Sequence, residues 1–237
     1  MSITDLKNKL ETPATKYWEW SGSQGKFFFY DKEKKDKFYQ DSLLFIILNQ
    51  TSFIKGWSDQ ESVGIYSNFI KDFKTQKLTV KTFNNNLIAE GLYSEIKDKI
   101  KSAGASYNKG VFIYNLESKE IEHITFKGSS LTPIIELKNK FKDGNCISLT
   151  KNPEPKKKGA TIYFEPLAKV KVMEVDDFET ALLKGEIVDD YIKNYFKQKN
   201  YDQKIEEEAK IIEEEIDIEN ITFEEPQHPD TYVTTPY

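Results

Sequence analysis

Three kinds of residue in this 237-residue chain could do chemistry: histidine and cysteine, paired carboxylates, and lysines set among aromatic rings. The first kind is sparse. His123, His228 and the single cysteine, Cys146, lie far apart, so neither a zinc site nor a Cys–His nucleophile pair is expected. One cysteine excludes an internal disulfide and fits a reducing compartment. His123 stands in a strand pattern and reads as a satisfied sheet residue. Among the acids, Glu117-Ser118-Lys119 has the spacing of a nuclease E-x-K element, but it falls in an apparent hairpin turn with no aspartate well placed before it. Asp176-Asp177 and Asp189-Asp190 read as helix caps and surface charge rather than a metal pair. The glycines are scattered singly, with no phosphate-cradling loop. No catalytic activity, cofactor or metal is expected.

The third kind is plentiful, and it points to a flexible polyanion with stackable bases, that is, single-stranded nucleic acid. Trp18, Trp20, Trp57, Tyr66 and Tyr107 are candidates for base stacking. Lys26, Lys55, Lys71, Lys77, Lys81, Lys109 and Lys127 are candidates for phosphate contact, which would make binding strongly salt-dependent. Against this stands the ordinary role of each type: strand aromatics go to the core and lysines to solvent, so about half of these rings should be core residues. Every basic residue is lysine. Without guanidinium forks there is little means of reading guanine bidentately, which argues against sequence-specific duplex recognition.

The elements that must carry these residues follow from period-two alternation and turn signals. Strands are expected at Tyr17–Trp20, Lys26–Tyr30, Leu43–Leu48, Thr51–Trp57, Val63–Phe69, Leu78–Phe83, Leu87–Glu90, Ser106–Leu116, Ile121–Lys127, Cys146–Leu149, Thr161–Phe164 and Lys169–Val175. Helices are expected between Gly91 and Ala103, over Ser129–Lys142 with Gly144 beyond its end, from Asp176 through Leu183, and over Ile187–Gln198. A stripe of Ile205, Ala209, Ile212 and Ile216 continues at helical spacing. Lys151–Gly159, which holds the densest basic cluster at Lys156, Lys157 and Lys158, reads as a loop. This is a mainly β chain with added helices, fitting a small Greek-key barrel of the oligonucleotide-binding type; a β-sandwich with helices fits the same pattern.

Charge divides the chain. Met1 to Lys171 carries 28 lysines and 20 acids, a net +8, and Val172 to Tyr237 carries 6 lysines and 19 acids, a net −13. A basic body can attract phosphate, while an acidic end can compete for the same surface or recruit a basic partner. We read residues 1–16 as an arm, 17–200 as the binding domain, and 201–237 as an acidic, largely disordered tail. No apolar run is long enough to span a membrane and the N-terminus lacks the apolar core of a secretory signal, so a cytoplasmic location is expected.

The run LLFIILNQTSFIKGWSDQESVGIYSNFIKD, with LTVKTF, IAEGLYSEIKDKIKSAGASYNKGVFIYNL and ITFKGSSL after it, resembles a family of bacteriophage-encoded single-stranded DNA-binding proteins over roughly Tyr17 to Tyr195. The distinctive pieces are Lys55-Gly56-Trp57, Ile65-Tyr66-Ser67-Asn68, the turn at Gly91 and Lys127-Gly128. The resemblance implies an oligonucleotide-binding fold that coats single strands during phage DNA replication or recombination, in the cytoplasm of a host cell, with an acidic tail for replisome or recombination partners. Pro226 to Thr235 interrupts the acidic run expected of that tail, although Pro236-Tyr237 is similar to the proline-aromatic ending of bacterial relatives. Two other readings remain open: a virion component or protein-interaction module that does not bind DNA, and a nuclease acting through Glu117.

Overall fold

The computed structural model describes residues 10–137, 145–172 and 174–219, with side chains through 198. The chain is mainly β. Its centre is β4 (Ser42–Ser58), a single strand of 17 residues where two separate strands are expected from sequence. The two merge because a β-bulge between Ile47 and Asn49 absorbs the break in alternation. Before the bulge Leu43 and Phe45 point to one face; after it the parity reverses, and Ile54 points there instead. We call this the inner face.

Along one edge β4 pairs with the whole of β8 (Ala105–Asn115). Its other edge is divided between β10 (Asn145–Lys151), which pairs at Phe45↔Ile147, and β5 (Val63–Ser67), which pairs at Lys55↔Tyr66. Outward from β8 lie β9 (Ile121–Lys127), β1 (Tyr17–Ser21), β2 (Lys26–Asp31) and β3 (Asp36–Gln40). Outward from β5 lie β6 (Leu78–Thr82) and β7 (Leu87–Gly91), followed by helix α1 (Tyr93–Ser102). The sheet is mixed: β1 runs parallel to β9, with Trp18 opposite Ile124. A 3₁₀ turn at Gly128–Leu131 leads into α2 (Thr132–Leu137). The hairpin β11 (Lys156–Lys158) and β12 (Thr161–Tyr163) stands apart, and β13 (Pro166–Val172) pairs with β10.

Two apolar cores share the inner face. The first gathers Trp18, Phe27, Phe45, Val111, Ile124 and Ile147, so it draws on β1, β2, β4, β8, β9 and β10. The second gathers Ile54, Ile65, Leu78, Val80, Ile96 and Ile100 beneath α1. Burying side chains of this size contributes roughly 1.5–3 kcal/mol each, which is why the inner-facing series are apolar almost throughout. On the opposite face, the first turns of α3 (Val175–Glu219) cover Ile46, Tyr114 and Cys146 through Ala181. Lys119 Nζ reaches Asp177 at 2.6 Å and Asn49 Nδ2 donates to Asp189 at 2.6 Å, both from that same stretch of helix.

Several expectations need correction. The segment Lys156–Lys158, expected as loop, is a strand because Thr161–Tyr163 folds back on it around Gly159 at φ +61. The two helices expected after Asp176 are one: Gly185 does not stop it, and Ala181 and Val188 on either side are both buried. A mid-helix glycine costs only about 1 kcal/mol, which burial on both flanks exceeds. The backbone is helical through Glu219, so residues 201–219 of the expected tail are helix and carry the Ile205–Ile216 stripe. Residues 1–9 of the arm, the end of the Ser129–Lys142 helix with Gly144, and 220–237 with His228 and Pro236-Tyr237 lie outside the described residues. The chain divides into two units, Met1–Tyr191 and Ile192–Tyr237. Among the described residues no helix is long and apolar enough to cross a membrane.

Candidate nucleic-acid interface

Lys55 and Trp57 alternate with the inward Ile54 on β4, so both project from the opposite face of the sheet. The register then sets a cross-strand row: Ser106 on β8, Lys55 on β4, Tyr66 on β5 and Lys81 on β6. One ring is thus flanked by two lysines. The next row places Trp57 opposite Gly64, and Phe83 lies over Gly64, where a Cβ would come within 2.6 Å of its ring. Trp57 is 54% exposed and Phe83 68% exposed, and the Phe83 ring stands 5.3 Å from that of Tyr66. The Tyr66 hydroxyl donates to Asn85 at 3.2 Å, which orients its ring.

The same face continues over β9 and β1. Lys127 projects there beside Asn108, and Glu19 lies between the cations: Lys55 Nζ is 2.5 Å from one carboxylate oxygen and Lys127 Nζ 3.9 Å from the other. Burial opposes ionisation of Glu19. The Lys55 hydrogen bond and the charges of Lys55, Lys127 and Lys37 outweigh it and hold the carboxyl below the usual carboxylate range. Farther along, the Phe28 and Tyr39 rings lie 5.9 Å apart, tilted at 43°, and Lys37 Nζ sits 4.8 Å over the Phe28 ring. A half-buried carboxylate is therefore the counter-ion of a patch whose other members are ammonium groups and rings.

Of the stacking candidates, Trp57 and Tyr66 are on this face and exposed. Trp18 and Trp20 are not available to a ligand, which corrects their assignment. Both are core residues, and each indole has its own internal acceptor: Trp18 Nε1 donates to Glu122 at 2.7 Å and Trp20 Nε1 to the Phe164 carbonyl at 2.9 Å. The cause is that β1 is an interior strand, so its inner-facing rings have a core to fill. Tyr107 is half-buried on the inner face, its hydroxyl 2.7 Å from that of Ser52, and Lys109 lies on that face too. Of the phosphate candidates, Lys55, Lys81 and Lys127 share the Trp57 face. Lys26 stands on β2 and pairs with Asp41 at 3.1 Å. Lys71 and Lys77 are exposed in the β5–β6 connection.

Phe83 and Glu19 are not among the candidates named from sequence, although Phe83 follows Lys81 in the same lysine-aromatic pattern. Phe83 carried a signal, an aromatic at the end of an alternating strand just before Asn84-Asn85-Asn86; Glu19 carried none, since its lysines come from β4 and β9. The Glu117-Ser118-Lys119 segment is a turn whose groups are engaged structurally: Glu117 accepts from Gln40, Ser118 donates to Glu122, and Lys119 pairs with Asp177. Among the described residues no three His, Cys, Asp or Glu side chains converge as metal ligands. Compared with protein-family models, curated proteins and solved structures, the chain matches none of them.

Proposed function

We propose that this protein is a non-catalytic binder of single-stranded DNA with little sequence preference. One observation carries the reading: exposed Trp57, Tyr66 and Phe83 share a sheet face with Lys55, Lys81 and Lys127. Rings accept any base by stacking, at roughly 1–3 kcal/mol per base, and ammonium groups follow the phosphates without regard to sequence. A duplex offers no exposed base face to such a surface. Together with the resemblance to phage single-strand binders, this makes coating of DNA during phage replication or recombination the biological setting, with the acidic end recruiting protein partners. The oligonucleotide-binding-fold reading is supported by the mainly β chain and by a first core to which β1, β2, β4, β8, β9 and β10 all contribute.

The test is a tryptophan-fluorescence titration of the full chain with oligo-dT and with a duplex of equal length, at low and moderate salt. Oligo-dT should quench, the duplex should not, and salt should weaken the response. Trp57→Phe should abolish the quenching, because Trp18 and Trp20 are shielded in the core. A folded protein that binds neither nucleic acid would overturn the proposal in favour of a protein-interaction module.

A further inference from the structure

The inner-facing residues of β8 run Ala105, Tyr107, Lys109, Val111, Ile113, and those of β4 beyond its bulge run Gln50, Ser52, Ile54. The β8 series is apolar at both ends and charged at Lys109, the β4 series is polar at Gln50 and Ser52 before Ile54, and the register brings the polar positions together: Lys109 pairs with Ser52, and Gln50 with Val111. A seam needed only for packing would be filled with apolar side chains. Here the floor between the two cores carries an ammonium and an amide instead, beneath an open groove of about 390 Å³.

The walls are of two kinds. One is aromatic: Phe73, Tyr93 and Tyr107 meet edge-on or tilted, with centroids 5.5 to 6.3 Å apart. Phe73 is presented by a loop that its own hydrogen bonds hold in shape. Gln76 Oε1 accepts from Lys71 N–H at 2.6 Å and Asp72 N–H at 3.0 Å, and Asp72 accepts from Lys74 N–H and the Thr75 hydroxyl, each at 2.9 Å. The facing wall is aliphatic, from Ile134 and the exposed Ile135 of α2. Phe73, at 40% exposure, keeps ring surface open to a ligand.

We propose that this groove is a second single-strand site, taking one nucleotide on the sheet face opposite Trp57. The base would lie between the Phe73 and Tyr93 rings and the aliphatic wall, with the Gln50 amide at its polar edge and the phosphate at Lys109. An apolar peptide would use the walls but gain nothing from the lysine, whereas a nucleotide uses both, and Lys71, Lys74 and Lys77 flank Phe73 in the loop. The inference rests on the function proposed above and adds to it: the protein holds two segments of single strand on opposite faces of one sheet, and so can bring separate segments together.

Photo-cross-linking tests it on the full chain. Six-residue dT oligonucleotides carrying 5-iodouracil are bound, irradiated, and the attachment residues located by mass spectrometry, with stoichiometry measured in parallel. We expect attachment at two clusters, Trp57/Tyr66 and Phe73/Tyr93/Tyr107, and two oligonucleotides per chain. The variant Phe73→Ala/Lys109→Gln should lose the second cluster, fall to one oligonucleotide, and keep the wild-type far-ultraviolet spectrum. Attachment at Trp57 and Tyr66 alone, with one oligonucleotide before and after the substitutions, would overturn the groove and leave the proposed function standing. No binding at either place would overturn both.

Discussion

Mild acid should weaken this protein before its carboxylates are neutralised, and His123 is the reason. Its imidazole is buried on β9 against the rings of Phe112 at 4.9 Å, Tyr17 at 5.4 Å and Phe53 at 6.4 Å. Neither ring nitrogen has a hydrogen-bond partner among the described residues, and the ring packs over Gly110 on β8, where a Cβ would fall 2.5 Å from Nε2. Burial, reinforced by the charge of Lys55, pushes its pKa down from 6.5 to about 4. Between those values the unfolded imidazole holds a proton that the folded one refuses, so the unfolded state binds more protons and stability falls as pH falls. At about 1.4 kcal/mol per pH unit, the loss from pH 7 to pH 4.5 is about 2 kcal/mol. Glu19 acts in a different range: its lowered pKa stabilises the fold above the unfolded carboxylate value of 4.5, and that contribution is lost only as pH falls below it. The assay is urea unfolding at pH 7, 6, 5 and 4.5, followed by the fluorescence of the buried Trp18 and Trp20, in a His228→Gln background that leaves His123 as the sole histidine. His123→Leu should flatten the pH dependence across that window. A slope of equal size in His123→Leu, or no slope in the parent, would refute the reasoning.

Three further outcomes follow from the same geometry. Glu19→Gln should tighten oligo-dT binding roughly threefold to tenfold at low salt by releasing Lys55 and Lys127 to phosphate; weaker binding would mean that Glu19 positions those lysines for the ligand. Lys81→Gln should lower the slope of log affinity against log salt by about 0.7 with no change in fold, and an unchanged slope would remove Lys81 from the interface. Glu122→Ala should cost about 3 kcal/mol in urea unfolding, because this fully buried carboxylate accepts from Trp18 Nε1, Asn115 Nδ2, Ser118 Oγ and Lys16 Nζ, and all four lose their acceptor; near-parental stability would show that the network is replaceable.

Strand positions were legible wherever a half-buried pattern imposed period two. The segments that became β1, β2, β5, β6, β7, β8 and β9 stand within two residues of their expected bounds. Pairing was not legible, because alternation within a strand says nothing about its neighbour. The parallel contact of β1 with β9 depends on Trp18 and Glu122, more than a hundred positions apart, and no local signal links them. The bulge in β4 was hidden for a related reason: Leu43–Leu48 is apolar at every position, so a change of parity at Ile47 leaves no mark in the sequence. Lys156–Lys158 looked like a loop because three consecutive lysines carry no pattern at all, and only the pairing with Thr161–Tyr163 makes them a strand.

The candidate interface shows the same division between what one strand encodes and what a sheet assembles. Lys55 and Trp57 are two apart, so any extended backbone puts them on one face, and that much follows from the local sequence. Which face it is depends on Ile54 having a core to enter, and that core is built from β5, β6, β7 and α1. Trp18 and Trp20 have the same spacing and the opposite fate, because the ring-bearing face of β1 closes over the first core. Spacing therefore selects residues that act together, and burial decides whether they act on a ligand or on the fold. Glu19 makes the point from the other side. Flanked by Trp18 and Trp20, it reads as an unremarkable strand position, yet the buried neighbours are what force it outward toward Lys55 and Lys127. If DNA occupies this face, its phosphates must compete with that carboxylate for both ammonium groups, so the affinity of the surface is set as much by one acid on β1 as by the lysines and rings around it.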